Sequence, residues 1–190
     1  MASILSSADL PHAELQASVL DGELVRVGEG FCAIDAIIDA QLRAASIATE
    51  VPGWAIAERR TAAWIYGVVG PQPRQLSLCV TSIGNVRPLS SHRYIFREVV
   101  LGANEVRTLA GLNVTTPLRT AIDIVRIDDS FQNEGQEIVR ALSHVGNGFT
   151  LDDCVHDIEA RRNLPHKLKA LQRLAIALAG ARKGQPALTL

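Results

Sequence analysis

The side chains able to do covalent or metal chemistry are few and scattered. The histidines His12, His92, His144, His156 and His166 stand apart, and so do the cysteines Cys32, Cys79 and Cys154. Cys154-Val155-His156 is the closest Cys/His pair, and its single-residue gap is unusual for zinc. Neither the Gly-x-Ser-x-Gly elbow nor a P-loop pattern is present. These residues therefore predict no catalytic centre, no metal site and no cofactor. What remains is arginine chemistry. Arg59-Arg60, Arg87, Arg93, Arg97 and Arg107 cluster in the middle of the chain, and residues 151–190 carry a net charge of +3. Such groups face either an anionic partner or, more commonly, solvent. Arg119 and Asp123 lie four apart, the spacing of an ion pair bracing a helix, and their expected role is structural.

The elements that must position these groups follow from pattern. Pro11 can open a helix to Leu20, with Leu15, Val19 and Leu20 on one side and Asp21-Gly22 closing it. The alternating run Glu23–Val27, the turn Gly28-Glu29-Gly30 and Phe31–Ile34 then read as a hairpin. Helix followed by Gly-turned hairpin is the order of the second half of a winged helix-turn-helix. Asp35 is placed as the cap of a helix running to about Thr49, with Ile37, Ile38, Leu42, Ala45 and Ile47 on its apolar face. Glu58 to Tyr66 reads as a short helix, with Trp64 and Tyr66 as core anchors. Leu76–Thr81 and Tyr94–Leu101 are strand-like, and Ser82–Arg93 between them is polar. Val106–Leu109 and Leu112–Val114 form a hairpin around Gly111. Thr116-Pro117 starts a further helix. Helices are then expected at Phe131–Ser143, after the cap Thr150, and from about His166 to Ala179.

The predicted fold class is α+β. A small truncated winged-helix-like module (1–35) precedes an α/β domain (36–180) with a mixed sheet and a helical C-terminal part, and 181–190 form a loose tail. The chain has 190 residues, enough for one core plus a satellite, and 47% are hydrophobic. No stretch is apolar and uncharged for the length of a membrane span. The start lacks the pattern of a secretory signal, and three separated cysteines fit buried thiols in a reducing compartment, so a cytoplasmic location is expected. The only lysines are Lys167, Lys169 and Lys183, an arginine bias that more often reflects the base composition of the genome than phosphate recognition. Net charge is −1 overall but −5 over residues 1–35, where Arg26 is the single basic residue.

Three segments in register carry a family resemblance. They are Gly22-x-Leu24-x-Arg26-Val27-x-x-Gly30-Phe31, Thr61-Ala62-Ala63-Trp64-x-x-Gly67 and Val114-Thr115-Thr116-Pro117-x-Arg119-Thr120-x-x-Asp123. Together they resemble the AbiEi-like antitoxins of type IV toxin–antitoxin systems and related actinobacterial proteins that share their middle domain. The resemblance implies an N-terminal winged helix for DNA binding, then an antitoxin domain that counters a nucleotidyltransferase-like toxin encoded alongside. It departs in two places: the family has a further helix before the one at His12, and Val-Tyr where this chain has Phe31-Cys32.

The expected function is that of a DNA-binding autorepressor and antitoxin, with no enzymatic activity. The candidate DNA contacts are Leu15, Gln16 and Ser18 on the recognition helix and Arg26 in the wing, followed by Arg93, Arg97 and Arg107. Expected partners are operator DNA and a toxin from the same operon, with a second copy of the chain as a further option and no membrane. The alternative is a protein–protein interaction module that does not bind DNA. Its acidic N-terminal face would suit a basic partner, because phosphate contacts require cations. A degenerate nuclease is a distant third reading. Some longer relatives append a nuclease domain whose site needs an acid two residues before a lysine, and none of the three lysines here has one.

Overall fold

The computed structural model describes residues 3–81, 90–129 and 131–183. It is a mixed α+β protein with two compact units, Met1–Thr116 and Pro117–Leu190. The expected boundary near Asp35 falls inside the first unit. Arg87, most of the polar stretch between the two expected strands, and residues 184–190 of the expected tail lie outside the described residues.

The first unit opens with α1 (His12–Leu20), entered at Pro11, whose φ of −53° suits a helix start. Gly22, with φ +77°, turns the chain into β1 (Leu24–Val27) and β2 (Gly30–Ala33). These pair antiparallel with Val25 opposite Cys32, and Leu5 adds a bridge to Phe31 on the outer side. Val27 and Cys32 share an apolar cluster with Leu42 of α2 (Ala40–Ala48). Gly28 between the strands has φ +59°, and a Cβ there would lie 2.3 Å from Ser46 Oγ and 3.0 Å from the Trp64 ring. Only glycine allows so close an approach in that backbone conformation.

Helix α2 corrects one expectation. Its cap is Asp39, whose Oδ1 accepts from the Leu42 N–H at 2.8 Å, and not Asp35. The adjacent β-branched Ile37 and Ile38 favour extended backbone, so the helix starts only after them. Ile37 is 83% exposed. Leu20, expected on one side of α1 with Leu15 and Val19, is the last residue of the helix and is 88% exposed, while Leu15 is fully buried.

A five-stranded mixed sheet has the order β5-β4-β3-β7-β6. Its middle strand β3 (Ile56–Ala57) has two residues and no sequence signal. It pairs antiparallel with β4 (Leu76–Thr81) and parallel with β7 (Leu112–Thr115). Beyond them, β5 (Tyr94–Val99) lies parallel to β4, and β6 (Val106–Leu109) lies antiparallel to β7. Helix α3 (Arg59–Ile65) follows β3 directly and buries Thr61, Ala62, Ala63, Trp64 and Ile65. Thr61 Oγ1 accepts the Ser77 N–H at 2.7 Å, stitching this helix to β4.

The second unit is helical. Helix α4 (Pro117–Ile127) starts where proline sets it, and it packs against α5 (Gln136–Leu142), α6 (Leu151–Ala160) and α7 (Lys167–Lys183). The segment expected as one helix from Phe131 is divided: Phe131–Gly135 is a π-helical turn, and α5 begins after Gly135. A Cβ on Gly135 would lie 2.8 Å from the Phe131 ring, so the tight fit there needs glycine. Thr150 caps α6 reciprocally with Asp153. Helix α7 extends to Lys183, past the expected end at Ala179.

Candidate functional site

The residues proposed to read DNA sit in different environments. Leu15 is fully buried and anchors α1 to its own core. Gln16 and Ser18 are half-buried, and Gln16 Nε2 lies 3.3 Å from His12 Nε2. Arg26 is exposed on β1. Its Nε donates to the Gly28 carbonyl at 3.2 Å, and its Nη2 lies 3.5 Å from Glu29.

The other arginines meet carboxylates or a ring. Arg93, just before β5, has Nη2 2.6 Å from Glu29 and 2.5 Å from Glu50. Hydrogen bonds to Glu29 and Glu50 push its guanidinium pKa up, holding the charge. Arg97 on β5 grips Glu58, with its Nε 3.2 Å from both carboxylate oxygens and its Nη2 also in contact. Glu58 is buried at the start of α3 and also receives Arg59 Nε at 2.9 Å. Arg59 has φ +45°, a left-handed conformation uncommon outside glycine. Arg107 lies over the Tyr66 ring at 5.8 Å, and Tyr66 donates to the Thr115 carbonyl at 2.7 Å.

The structure thus joins Arg93 and Arg97 to acids that sequence reasoning passed over. Glu58 carried the only local signal, since it precedes the Thr61-Ala62-Ala63-Trp64 run at a helix-cap position. Glu29 and Glu50 are distant in sequence from Arg93, and no spacing rule links them.

On α4, Arg119 Nε lies 2.8 Å from Asp123 Oδ2, with both side chains buried. Arg126, which the sequence reading passed over, completes a triad at 2.8 Å from Asp123 Oδ1 and also donates to the Pro165 carbonyl at 3.0 Å. Asp123 uses both carboxylate oxygens to hold the two guanidiniums. Cys154 of the Cys/His pair is buried, and burial pushes its thiol up to about 12. A protonated thiol is a poor metal ligand. Among the described residues no group of three or more His, Cys, Asp or Glu side chains is placed to hold a metal ion. No helix among them is long and apolar enough to cross a membrane.

A five-stranded mixed sheet with short helices in one unit, and a helical second unit, define an α+β protein. The AbiEi antitoxin C-terminal domain matches residues 55–185, from just before β3 through α7, and the chain belongs to that family. The crystal structure of the RV2827C protein from Mycobacterium tuberculosis is similar at 16% identity and a TM-score of 0.49, covering 97% of this chain and 73% of that one. No curated protein matches the chain.

Proposed function

We propose that this protein is a non-enzymatic antitoxin that represses its own operon and counters a nucleotidyltransferase-like toxin encoded beside it. The match of the antitoxin domain over residues 55–185 is the observation that carries this reading. The operator contacts are assigned to the N-terminal module, with Gln16, Ser18 and Arg26 at the DNA and Leu15 supporting α1 from behind. Arg93, Arg97 and Arg107 serve phosphates only where a backbone can compete with Glu29, Glu50, Glu58 and the Tyr66 ring. A gel-shift titration with the native upstream DNA, repeated across salt concentrations, tests the operator half. Specific binding that weakens with salt is expected; undetectable or salt-insensitive binding at micromolar protein would contradict it.

A second reading has its own observation. Leu20 and Ile34 of the acidic N-terminal module are exposed at 88% and 60%, and Ile37 just after it at 83%, all outside the matched domain. In this reading the module docks a basic protein surface or a second copy of the chain rather than DNA. Size-exclusion and pull-down measurements separate the two, because a monomer that captures no partner but shifts operator DNA favours the first.

A further inference from the structure

Helix α7 packs only part of its surface. Ala170, Leu174 and Ala177 are buried on its inner side. On the opposite side Leu168 and Ile176 are 77% and 60% exposed, with exposed Gln172 midway between them. At one residue every 1.5 Å or so, the three form a single stripe about 12 Å long. Cations border this stripe. Lys169 lies in the first turn of α7, and Arg162 stands in the loop that leads into it. Both are exposed, and among the described residues neither side chain has an ion-pair or hydrogen-bond partner. Lys167 Nζ donates to the Glu159 and Arg161 carbonyls at 2.8 and 2.9 Å, which folds that loop back against the start of α7. The first turn carries no acid, so the positive end of the helix dipole adds to the same charge.

The N-terminal module presents the reverse surface. The Glu23 N–H donates to the Ser18 carbonyl, and the Glu23 carbonyl accepts from the Ile34 N–H, each at 2.9 Å. These bonds bring the end of α1 and the base of the hairpin to one place, where Leu20 and Ile34 are exposed. Asp21, Glu23 and Asp35 are exposed beside them, and among the described residues their carboxylates have no partner. Asp21 caps the C-terminal end of α1, where the dipole disfavours a carboxylate, and the last turn of α1 carries no basic residue. Each surface thus carries charge of the sign that its own helix end repels, and each is complementary to the other. Phosphate would meet the cations of the α7 face but leave Leu168 and Ile176 in water. A surface both acidic and apolar meets both, and the chain itself carries one.

We infer that the exposed face of α7 docks the N-terminal module of a second copy of the chain. Leu168 and Ile176 meet Leu20 and Ile34, while Arg162 and Lys169 face Asp21, Glu23 and Asp35. The inference rests on the second reading above, in which the module docks protein, and it names the surface that the module meets. Every copy carries both halves, so the contact is head to tail and assembly grows with concentration.

Sedimentation velocity of the full chain over a concentration series, at low and at high salt, tests the contact. The parent is expected to self-associate at low salt and to dissociate at high salt. Two double variants reverse one surface each: Arg162→Glu with Lys169→Glu on the α7 face, and Glu23→Arg with Asp35→Arg on the module. All four positions are exposed, and circular-dichroism melts check that each variant folds as the parent does. Each variant alone is expected to associate at least about tenfold more weakly, and an equimolar mixture of the two to regain association, because reversed module then meets reversed helix. Leu168→Ser, which leaves every charge in place, should also weaken association and covers the case in which a charge variant fails to fold. Arg74→Glu, at an exposed arginine in neither surface, should behave as the parent. Self-association that the α7 variants leave unchanged would overturn this contact while leaving the second reading intact. A parent that stays monomeric, or a mixture that regains nothing, would overturn it too. So would a monomeric parent whose salt-sensitive binding of unrelated duplex DNA is lost in the α7 variant, since that result assigns the face to nucleic acid.

Discussion

At the scale of residues, the account turns on which arginines have their charge already met. Asp123 serves two buried guanidiniums, Arg119 and Arg126. Asp123→Ala leaves both without that carboxylate, and breaking a buried pair in this way costs about 3–5 kcal/mol. Urea denaturation should show the loss as a lowered midpoint. Arg93 and Arg26 make the contrasting case. Arg93 sits between Glu29 and Glu50, whereas Arg26 is exposed, with its Nε on the Gly28 carbonyl and Glu29 at the longer distance of 3.5 Å. Arg26→Ala should therefore reduce the salt slope of operator binding by about one phosphate contact, while Arg93→Ala leaves it nearly unchanged.

Titration gives a further test at the same scale. Burial pushes the Tyr66 hydroxyl up to about 12, with Arg107 pulling the other way, and burial pushes Cys154 to about 12 as well. The unfolded chain releases these protons at lower pH than the folded one. Their contribution to stability is complete below their ordinary values of 10.0 and 9.0, and it is lost as pH rises towards about 12. Thermal melts should fall over that alkaline window, and Tyr66→Phe should flatten the upper part of the fall while losing about 1 kcal/mol at neutral pH with its hydrogen bond to Thr115.

At the scale of elements, caps decide more than periodicity does. Asp39→Ala should lower stability by about 1 kcal/mol, while Asp35→Ala should be close to neutral, and circular-dichroism melts of the two variants distinguish the caps. Asp35 was the expected cap, with Ile37 and Ile38 placed on the helix's apolar face; that β-branched pair favours extended backbone, and the helix begins after it. Helix α1, the Gly28 hairpin, the β6–β7 hairpin around Gly111, and the proline-started α4 were legible because proline, glycine and alternation act locally. Strand β3 was not legible. Two residues cannot show a period, and Ile56–Ala57 becomes a strand because β4 and β7 supply hydrogen bonds on both sides. The π-turn at Phe131 was hidden for a similar reason: the apolar spacing of a helix continues through it.

The candidate site was less legible than the fold. Leu15 fits a helix face equally as a base contact or as a core anchor, and only the packing of α1 shows it fully buried. Arg93 and Arg97 looked available in the sequence because their acids lie 64, 43 and 39 positions away.

At the scale of the whole molecule, the antitoxin domain matches residues 55–185 and the helix-plus-hairpin lies ahead of it. That division suggests a split of duties, with toxin contact assigned to the matched domain and operator contact to the preceding module. The most direct test of the central claim is growth rescue. The chain is co-expressed with the toxin reading frame proposed to lie beside its own gene, under independent promoters. The account predicts that expressing the neighbour alone arrests growth and that co-expression restores it, both with the parent chain and with a folded Arg26→Ala variant, whose operator binding is expected to be weaker. A folded parent chain that leaves the arrest unrelieved would contradict it.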